Sequence, residues 1–144
     1  MKKFKGRAIV AGDGSFEAVV TKNGFNTLAS MQMMNIQPRT RCNDQSNPDL
    51  YKKIIQDKAL CLPLTIGSTT GGMFIYTAVV EGKAPACLLF SKEIDSLAAA
   101  GAVLSEVWAD KDMPVYDKLG DEFLETVKNG DKITLKSDGT VIVD

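Results

Sequence analysis

One stretch decides how this chain folds, and it is Leu62-Pro63-Leu64-Thr65-Ile66-Gly67-Ser68-Thr69-Thr70-Gly71-Gly72-Met73. It lies between an apolar run typical of a buried strand and an apolar run typical of a buried helix. Residues 67–72 contain three glycines and three hydroxyl side chains. A strand-to-helix turn of this composition gathers backbone N–H groups and hydroxyls at the positive end of a helix dipole. The turn is therefore a candidate site for a carboxylate or a phosphate.

The residues on either side of this turn predict a β–α–β unit. Residues 59–64 have the length and the flanks of a buried strand. Residues 73–80 favour a helix over a strand, because a threonine can cap its start and Gly82 can end it. Residues 86–90 form the next strand. Because a helix connects them, the two strands are expected to run parallel.

The remaining segments predict further strands and helices around this unit, in one domain that spans residues 1–144. Two strands at the N-terminus are expected to pair antiparallel, and the C-terminus is expected to be a hairpin with Asp138-Gly139 as its turn. The expected strands cover residues 4–11, 16–20, 132–136 and 140–143. The fold class is therefore α/β, a single domain with a central β–α–β unit, a C-terminal β-hairpin and a hairpin at the N-terminus.

A long helix is expected from about residue 93 to 109, with Ser91 as its N-cap and Glu93 in its first turn. The small residues over 97–102 allow close approach to a sheet or to a partner. One face of this helix is marked at helical spacing by Ile94, Leu97, Ala98, Gly101, Leu104 and Trp108.

The composition is that of an ordinary globular domain. Of the 144 residues, 44% are apolar and 24% are charged, and the formal net charge is −1. This balance gives no electrostatic basis for binding nucleic acid or an anionic membrane surface. The apolar runs are too short to span a membrane, so a cytoplasmic location is expected.

The chain has three cysteines and no histidine. The missing histidine excludes a Ser–His or Cys–His catalytic pair within this chain, and any histidine-ligated metal site. Cys61 and Cys87 lie in apolar strand-like runs and are expected to be buried, whereas Cys42 lies in a polar loop and is the one expected to be exposed. No metal site is predicted on this chain.

Several known motifs are excluded at the Gly67–Gly72 turn. No lysine follows the glycines as in a P-loop, the dinucleotide-binding glycine pattern is absent, and the Gly-x-Ser-x-Gly nucleophile elbow does not match. Two interpretations stay open. The turn is either a loop whose glycines and threonines serve the fold alone, or an anion-binding turn that exposes Ser68. Ser68 without a base is a poor nucleophile, so as a proton acceptor it needs positive charge nearby.

Two further groups are candidates for the site. Arg39 and Arg41 flank Thr40 in a polar loop over residues 35–47, and loops of this length are often functional. Asp95 falls in the first turn of the predicted long helix, where the helix dipole alone favours a carboxylate. A solvated loop and a helix-stabilising carboxylate are the alternative explanations.

Three groups of residues together resemble a known family. They are Leu62-Pro63 with Gly67-Ser68-Thr69-Thr70-Gly71-Gly72, then Gly82-Lys83-Ala84-Pro85-Ala86, then Ile94-Asp95-Ser96-Leu97-Ala98-Ala99-Ala100-Gly101. This succession resembles the small, or swivel, subunit of the aconitase X family, which are hydro-lyases. The resemblance implies a swivelling β/β/α domain that pairs with a larger catalytic subunit, and an iron–sulfur cluster that the larger subunit holds and this chain does not.

The resemblance also implies roles at the turn. Ser68 matches the serine that acts as catalytic base, while the cluster iron acts as Lewis acid on the leaving hydroxyl. The anionic group of the substrate would be held by residues around it: Gly67, Thr69, Thr70, Gly71 and Gly72. Family members dehydrate cis-3-hydroxy-L-proline or mevalonate 5-phosphate. The alternative to this enzyme subunit is a non-catalytic anion-binding or regulatory module.

The chain departs from the family at two places. Many relatives carry an arginine where this chain has Ile66, and often a Gly-Gly-Val-Asp segment where it has residues 26–30. The arginine would help to lower the pKa of the serine. Our hypothesis from the sequence is that Arg39 or Arg41, carried by the long loop, replaces this charge.

Overall fold

The structure is a computed structural model that describes residues 1–67 and 71–144, without the side chain of Leu97. The strands are β1 (Lys2–Lys5), β2 (Arg7–Val10), β3 (Gly14–Val20), β4 (Phe25–Asn26), β5 (Ala59–Leu62), β6 (Thr65–Ile66), β7 (Cys87–Phe90), β8 (Val115–Asp117), β9 (Lys132–Leu135) and β10 (Thr140–Val143). The helices are α1 (Thr27–Met31), α2 (Gly71–Val80), α3 (Ser96–Ala109) and α4 (Asp121–Thr126).

Eight of these strands form one sheet, in the order β1-β10-β9-β3-β5-β7-β8-β2. Strands β3, β5, β7 and β8 are parallel, and the other pairs are antiparallel. The two outermost strands, β1 and β2, are separated in the chain only by Gly6, so the sheet curls round until its edges meet. The predicted α/β class, the β5–α2–β7 unit with parallel strands and the C-terminal hairpin are all confirmed.

Alternating side chains of the buried parallel strands fill two cores. Leu60, Leu62, Leu88 and Phe90 pack with the helices α1, α2 and α3 on one face. On the other face the curled sheet encloses Cys61, Cys87 and Leu89, together with residues of β9 and β10. The period of two along each strand therefore divides one apolar sequence between two layers.

The predicted N-terminal hairpin is wrong. The first strand is interrupted at Gly6, where a Cβ atom would lie 2.6 Å from the main-chain oxygen of Asp117. The strands before and after Gly6, β1 and β2, pair with different strands. Strand β3 pairs with β9 and β5 rather than with the N-terminal strand. Long-range pairing of this kind leaves no periodic signal in the sequence, which is why neighbouring strands suggest a hairpin by default.

The start of α3 also differs from the prediction. The helix begins at Ser96, so Ser91 is not its cap and Glu93 is not in its first turn. Ser91 instead extends the sheet, since its main-chain N–H donates to the Leu62 carbonyl at 3.0 Å. The short helix α1 begins as an Asn cap predicts, because the Asn26 side chain accepts from the Ala29 N–H.

Candidate functional site

Strand β6 brings the chain to the candidate turn. It pairs in parallel with β4, so Phe25 lies opposite Thr65 and Asn26 opposite Ile66. The Phe25 N–H donates to the Leu64 carbonyl at 2.9 Å. This two-stranded sheet lies outside the main sheet, beyond the carboxyl end of β5. Binding sites of parallel α/β sheets are common at that edge.

Position 67 requires a glycine. Its φ is 103°, a region that disfavours L residues, and a Cβ atom would lie 2.8 Å from the side chain of Asn26. The same Asn26 side chain caps α1, because its Oδ1 accepts from the Ala29 N–H at 3.1 Å. Gly67 is thus packed against a side chain that the start of α1 holds in place.

The predicted centre of the site, Ser68, lies outside the described residues, as do Thr69 and Thr70. The structure resumes at Gly71, the first residue of α2. Gly67 and Gly71 therefore bracket the turn between a strand end and the first turn of a ten-residue helix that has no acidic residue there. The positive end of the helix dipole thus meets no carboxylate from that turn.

Asp95 joins the turn to α3. Its carboxylate accepts from the Thr65 hydroxyl and, at 3.0 Å, from the main-chain N–H of Ala98. The prediction placed Asp95 inside the first turn, but it immediately precedes Ser96, the first helical residue. A carboxylate at this position satisfies a free N–H of the helix start and also holds the strand that leads into the turn.

An ion pair between the partly exposed Arg7 and the buried Asp117, which the sequence reasoning missed, holds the residue that precedes Asp95. Asp117 is fully buried and accepts from the Arg7 side chain at 3.0 and 2.7 Å. Its Oδ2 also accepts from the main-chain N–H of Ile94 at 2.9 Å. The carboxylate raises the pKa of Arg7 above its ordinary value. An acidic residue at the end of the apolar run of β8 was the available signal, since a buried carboxylate needs a partner.

The structure does not bring Arg39 or Arg41 to the turn. Arg39 donates to the Gln56 carbonyl at 3.3 Å and lies 3.5 Å from the Asp57 carboxylate. Arg41 donates to the Lys52 carbonyl at 3.0 Å. These contacts lie before the start of β5, whereas the turn follows its end. The four residues of β5 alone separate the two ends by roughly 13 Å.

The long loop that carries these arginines is tightly packed. Thr40 is buried, and its hydroxyl donates to the Lys83 carbonyl at 2.6 Å. Cys42 is fully buried, so the expectation of an exposed thiol is wrong. The Cys42 N–H donates to the Lys53 carbonyl and its carbonyl accepts from the Lys52 N–H. Backbone hydrogen bonds of the loop with itself therefore draw this thiol into the core.

The thiols do not form a metal site. Cys61 and Cys87 are fully buried in neighbouring strands, as predicted, and burial raises the pKa of each thiol well above its ordinary value. Burial likewise raises the pKa of Cys42. Within residues 1–67 and 71–144, no group of three or more His, Cys, Asp or Glu residues is placed to hold a metal ion. Protonated, enclosed thiols do not fit as ligands of an iron–sulfur cluster, and we derive no step through a cluster from this chain's residues.

Comparison with known proteins identifies the family. The model of the aconitase X swivel domain family matches residues 3–143. The chain belongs to the aconitase X swivel domain family. It is 30% identical over 138 residues to the phosphomevalonate dehydratase small subunit of Methanocella arvoryzae, covering 96% of this chain and 94% of that protein. It is 30% identical over 131 residues to the protein of the same name from Methanosarcina mazei, covering 91% and 83%.

A solved structure supports the same assignment. The crystal structure of Thermococcus kodakaraensis aconitase X in its holo form superimposes with a TM-score of 0.84, at 26% identity, over 100% of this chain and 99% of that one. The predicted family and the predicted swivel fold are thus confirmed. The predicted enzyme class, a hydro-lyase subunit, is confirmed by relatives that are dehydratase subunits. Aconitase-like dehydratases are in general iron–sulfur enzymes. None of the helices in the described ranges is long and apolar enough to cross a bilayer.

Proposed function

We propose that this chain is the small subunit of an iron–sulfur dehydratase that acts on mevalonate 5-phosphate, with Ser68 as the catalytic base. The observation that carries the proposal is the half-site at the carboxyl end of β5. There Asn26 and Asp95 hold the strand that ends at Gly67, and the sequence Ser68-Thr69-Thr70 connects it to the first turn of α2. The relatives named phosphomevalonate dehydratase small subunit, similar over nearly their whole length, support the choice of substrate.

The residues of the turn fit the two tasks that this chemistry requires. The hydroxyls of Thr69 and Thr70 and the amides of Gly71 and Gly72 bind an anionic group of the substrate, since free N–H groups at a helix start favour negative charge. Ser68 accepts the proton that leaves carbon when water is eliminated. Gly67, which no other residue can replace without strain, fixes the approach of the chain to Ser68.

The positive charge that Ser68 needs comes from outside this turn. Ile66 stands where the resemblance to the family leads us to expect an arginine, and it is half exposed. The side chains in contact with the strand before the turn are an amide, Asn26, and a carboxylate, Asp95. We therefore assign the missing charge to the larger subunit. The iron–sulfur cluster, which would polarise the leaving hydroxyl when bound, belongs on that subunit as well, because the thiols of this chain are enclosed.

The decisive experiment replaces the base. Purified chain is combined with the large subunit of the same organism, and the dehydration of mevalonate 5-phosphate is measured for wild type and Ser68→Ala. Loss of a general base lowers kcat by about 10²–10⁴-fold. Exchange of the substrate's carbon-bound hydrogen with deuterated water is expected to stop as well. Cis-3-hydroxy-L-proline serves as the comparison substrate and is expected to turn over more slowly.

The matched control is Ser137→Ala, a serine exposed in the β9–β10 turn. It is expected to retain the wild-type rate. Binding of the large subunit by Ser68→Ala is measured in parallel, so that a failure to assemble is not mistaken for lost chemistry. A Ser68→Ala complex that assembles and keeps a rate within threefold of wild type would refute the role of Ser68. A wild-type chain that binds no large subunit would favour the non-catalytic anion-binding module instead.

A further inference from the structure

An apolar groove runs between α2 and α3. It is lined from α2 by Gly72, Met73 and Tyr76, and from α3 by Gly101, Leu104 and Trp108. Its cavity volume is about 310 Å³. We call it the α2–α3 groove. None of the described residues that line it is charged. It therefore offers nothing to a phosphate backbone or to an anionic lipid surface.

Large apolar side chains are exposed along this groove and its rim. The exposed fraction is 74% for Trp108, 70% for Met73 and 65% for Val107. Helix α3 instead turns small residues, Ala98 and Ala102, into the core. Trp108, which the helical spacing places on one face with Ala98, is exposed in the structure, whereas Ala98 is buried. Large side chains outside and small ones inside are the reverse of an ordinary amphipathic surface helix.

The exposed surface is large enough for a specific protein contact. Trp108, Met73, Val107 and Val103 together expose roughly 500 Å² of apolar surface, with a single aromatic ring contributing up to about 250 Å² when whole. That is close to the apolar share of the ~800 Å² that one partner contributes to a standard interface. An apolar patch of this size is comparable to the largest one on a typical monomer, and such patches are often functional.

The floor of the groove is preformed. A Cβ atom on Gly101 would lie 2.2 Å from the main-chain oxygen of Gly72, so the two helices touch through backbone there. Ser105, one turn further along α3, donates its hydroxyl to the Gly101 carbonyl at 3.0 Å. A groove with a backbone floor changes little on binding, which lowers the entropic penalty of association.

The groove is continuous with the candidate active site. Gly72 and Met73 belong to the first turn of α2, and Ser68 precedes them by a few residues in the sequence. A protein that completes a site at Ser68 is therefore expected to contact Met73 as well. A small apolar ligand fits less well, because the lining offers almost no polar groups to fix its orientation.

We infer that the α2–α3 groove is the docking surface for the large subunit, with Trp108 as its main anchor. This inference rests on the proposed function, which requires a second subunit to complete the site at Ser68. The large subunit supplies an apolar segment that fills the groove between Met73 and Trp108. Its contact there sets the position of the turn relative to the rest of the active site.

Trp108 is the single tryptophan of the chain and reports on its own burial. Fluorotryptophan-labelled chain gives one fluorine resonance from this subunit, and it is expected to shift on addition of the purified large subunit. The dissociation constant is then measured for wild type, Trp108→Glu and Val107→Glu. Burying a charge at an interface anchor is expected to weaken binding at least tenfold. Both positions are exposed, so the monomer should fold; circular dichroism checks this.

The matched control is Ile36→Glu, since Ile36 is also 74% exposed. It lies away from the groove: its neighbour Gln37 accepts a hydrogen bond through its carbonyl from Lys83, which follows the C-terminal end of α2. It is expected to bind within twofold of wild type. If the groove variants bind as tightly as wild type while the complex stays active, the docking inference is overturned and the proposed function stands. Sedimentation could instead show that the wild-type chain forms a dimer that Trp108→Glu loses, while binding of the large subunit stays intact. That result would assign the groove to a second copy of this chain and would also overturn the docking inference. A wild-type chain that binds no large subunit overturns both.

Discussion

Replacing Gly101 by Ala tests how α3 holds the first turn of α2. A Cβ atom at this position would lie 2.2 Å from the oxygen and 2.9 Å from the carbon of the Gly72 carbonyl group. Ordinary contacts of a Cβ atom begin near 3.4 Å. The obstacle is backbone, which cannot rotate away as a side chain can. The first turn of α2 must therefore move by about 1 Å for the methyl group to fit.

Two opposing effects decide the size of the change. Glycine in a helix interior is less favourable than alanine by about 1 kcal/mol, so the substitution gains that much from backbone propensity. Overpacking a tight contact costs about 1–3 kcal/mol. We expect the steric cost to win, with a net loss of about 1 kcal/mol in the free energy of unfolding. In a chain of this length that lowers Tm by about 2–4 °C. Because the turn at 68–70 precedes Gly72, the activity of the reconstituted complex should fall further, by up to ~100-fold for a 1 Å displacement.

Ala100→Gly, at the exposed neighbouring position of the same helix, is the matched control. Urea unfolding of this variant measures the propensity effect alone. Adding its loss to the loss in Gly101→Ala isolates the steric cost. If Gly101→Ala is more stable than wild type by the amount that Ala100→Gly is less stable, no close approach exists and the reasoning is refuted. Wild-type activity in Gly101→Ala would show that the position of the turn does not depend on this contact.

Two further predictions concern stability. Asp117→Asn weakens the pair with Arg7 and leaves a buried amide, so it should lower the free energy of unfolding in urea by about 1–3 kcal/mol. The control Glu93→Gln changes an exposed contact 3.7 Å from Arg7 and should alter that free energy by less than about 0.5 kcal/mol. Equal effects of the two substitutions would contradict this prediction. The folded-state pKa values of Cys61 and Cys87 are raised, so their contribution is fully present below the unfolded pKa of 9.0 and is lost as pH rises above it. Replacing both thiols by alanine should flatten the fall in stability above pH 9, and an unchanged slope would count against it.

The β–α–β centre of the fold could be predicted because its signals are local. Short apolar runs with breakers on both sides define β5 and β7, and an apolar segment after a glycine-hydroxyl turn defines α2. The Asp138-Gly139 turn likewise defines the C-terminal hairpin. What could not be predicted is pairing between distant segments. β1 lies beside β10 and β2 beside β8, and the first strand divides at Gly6, which the Asp117 carbonyl approaches closely.

For the candidate site too, local signals could be read from the sequence and contacts between distant segments could not. Its centre at Ser68 stays a prediction from composition and from the resemblance, whereas the supports at Asn26 and Asp95 depend on tertiary contacts. The sequence places Asp95 near the start of a helix, but its contact with the Thr65 hydroxyl could be found only from the fold. Arg39 and Arg41 are candidates from the sequence because the sequence does not show the course of the long loop that carries them. Once Thr40 and Cys42 are buried, that loop can no longer bring them across the length of β5.

The position of these arginines bears on how the site is completed. A charge on this chain that served Ser68 would have to extend from the carboxyl end of the parallel strands, where Gly67 and Asn26 meet. The side chains that the structure shows bracing this strand are uncharged or acidic, and Ile66 presents an apolar surface half exposed to solvent. A partner that lies over this strand end would cover the exposed side chain of Ile66. We therefore propose that the large subunit supplies both this cover and the positive charge that Ser68 needs.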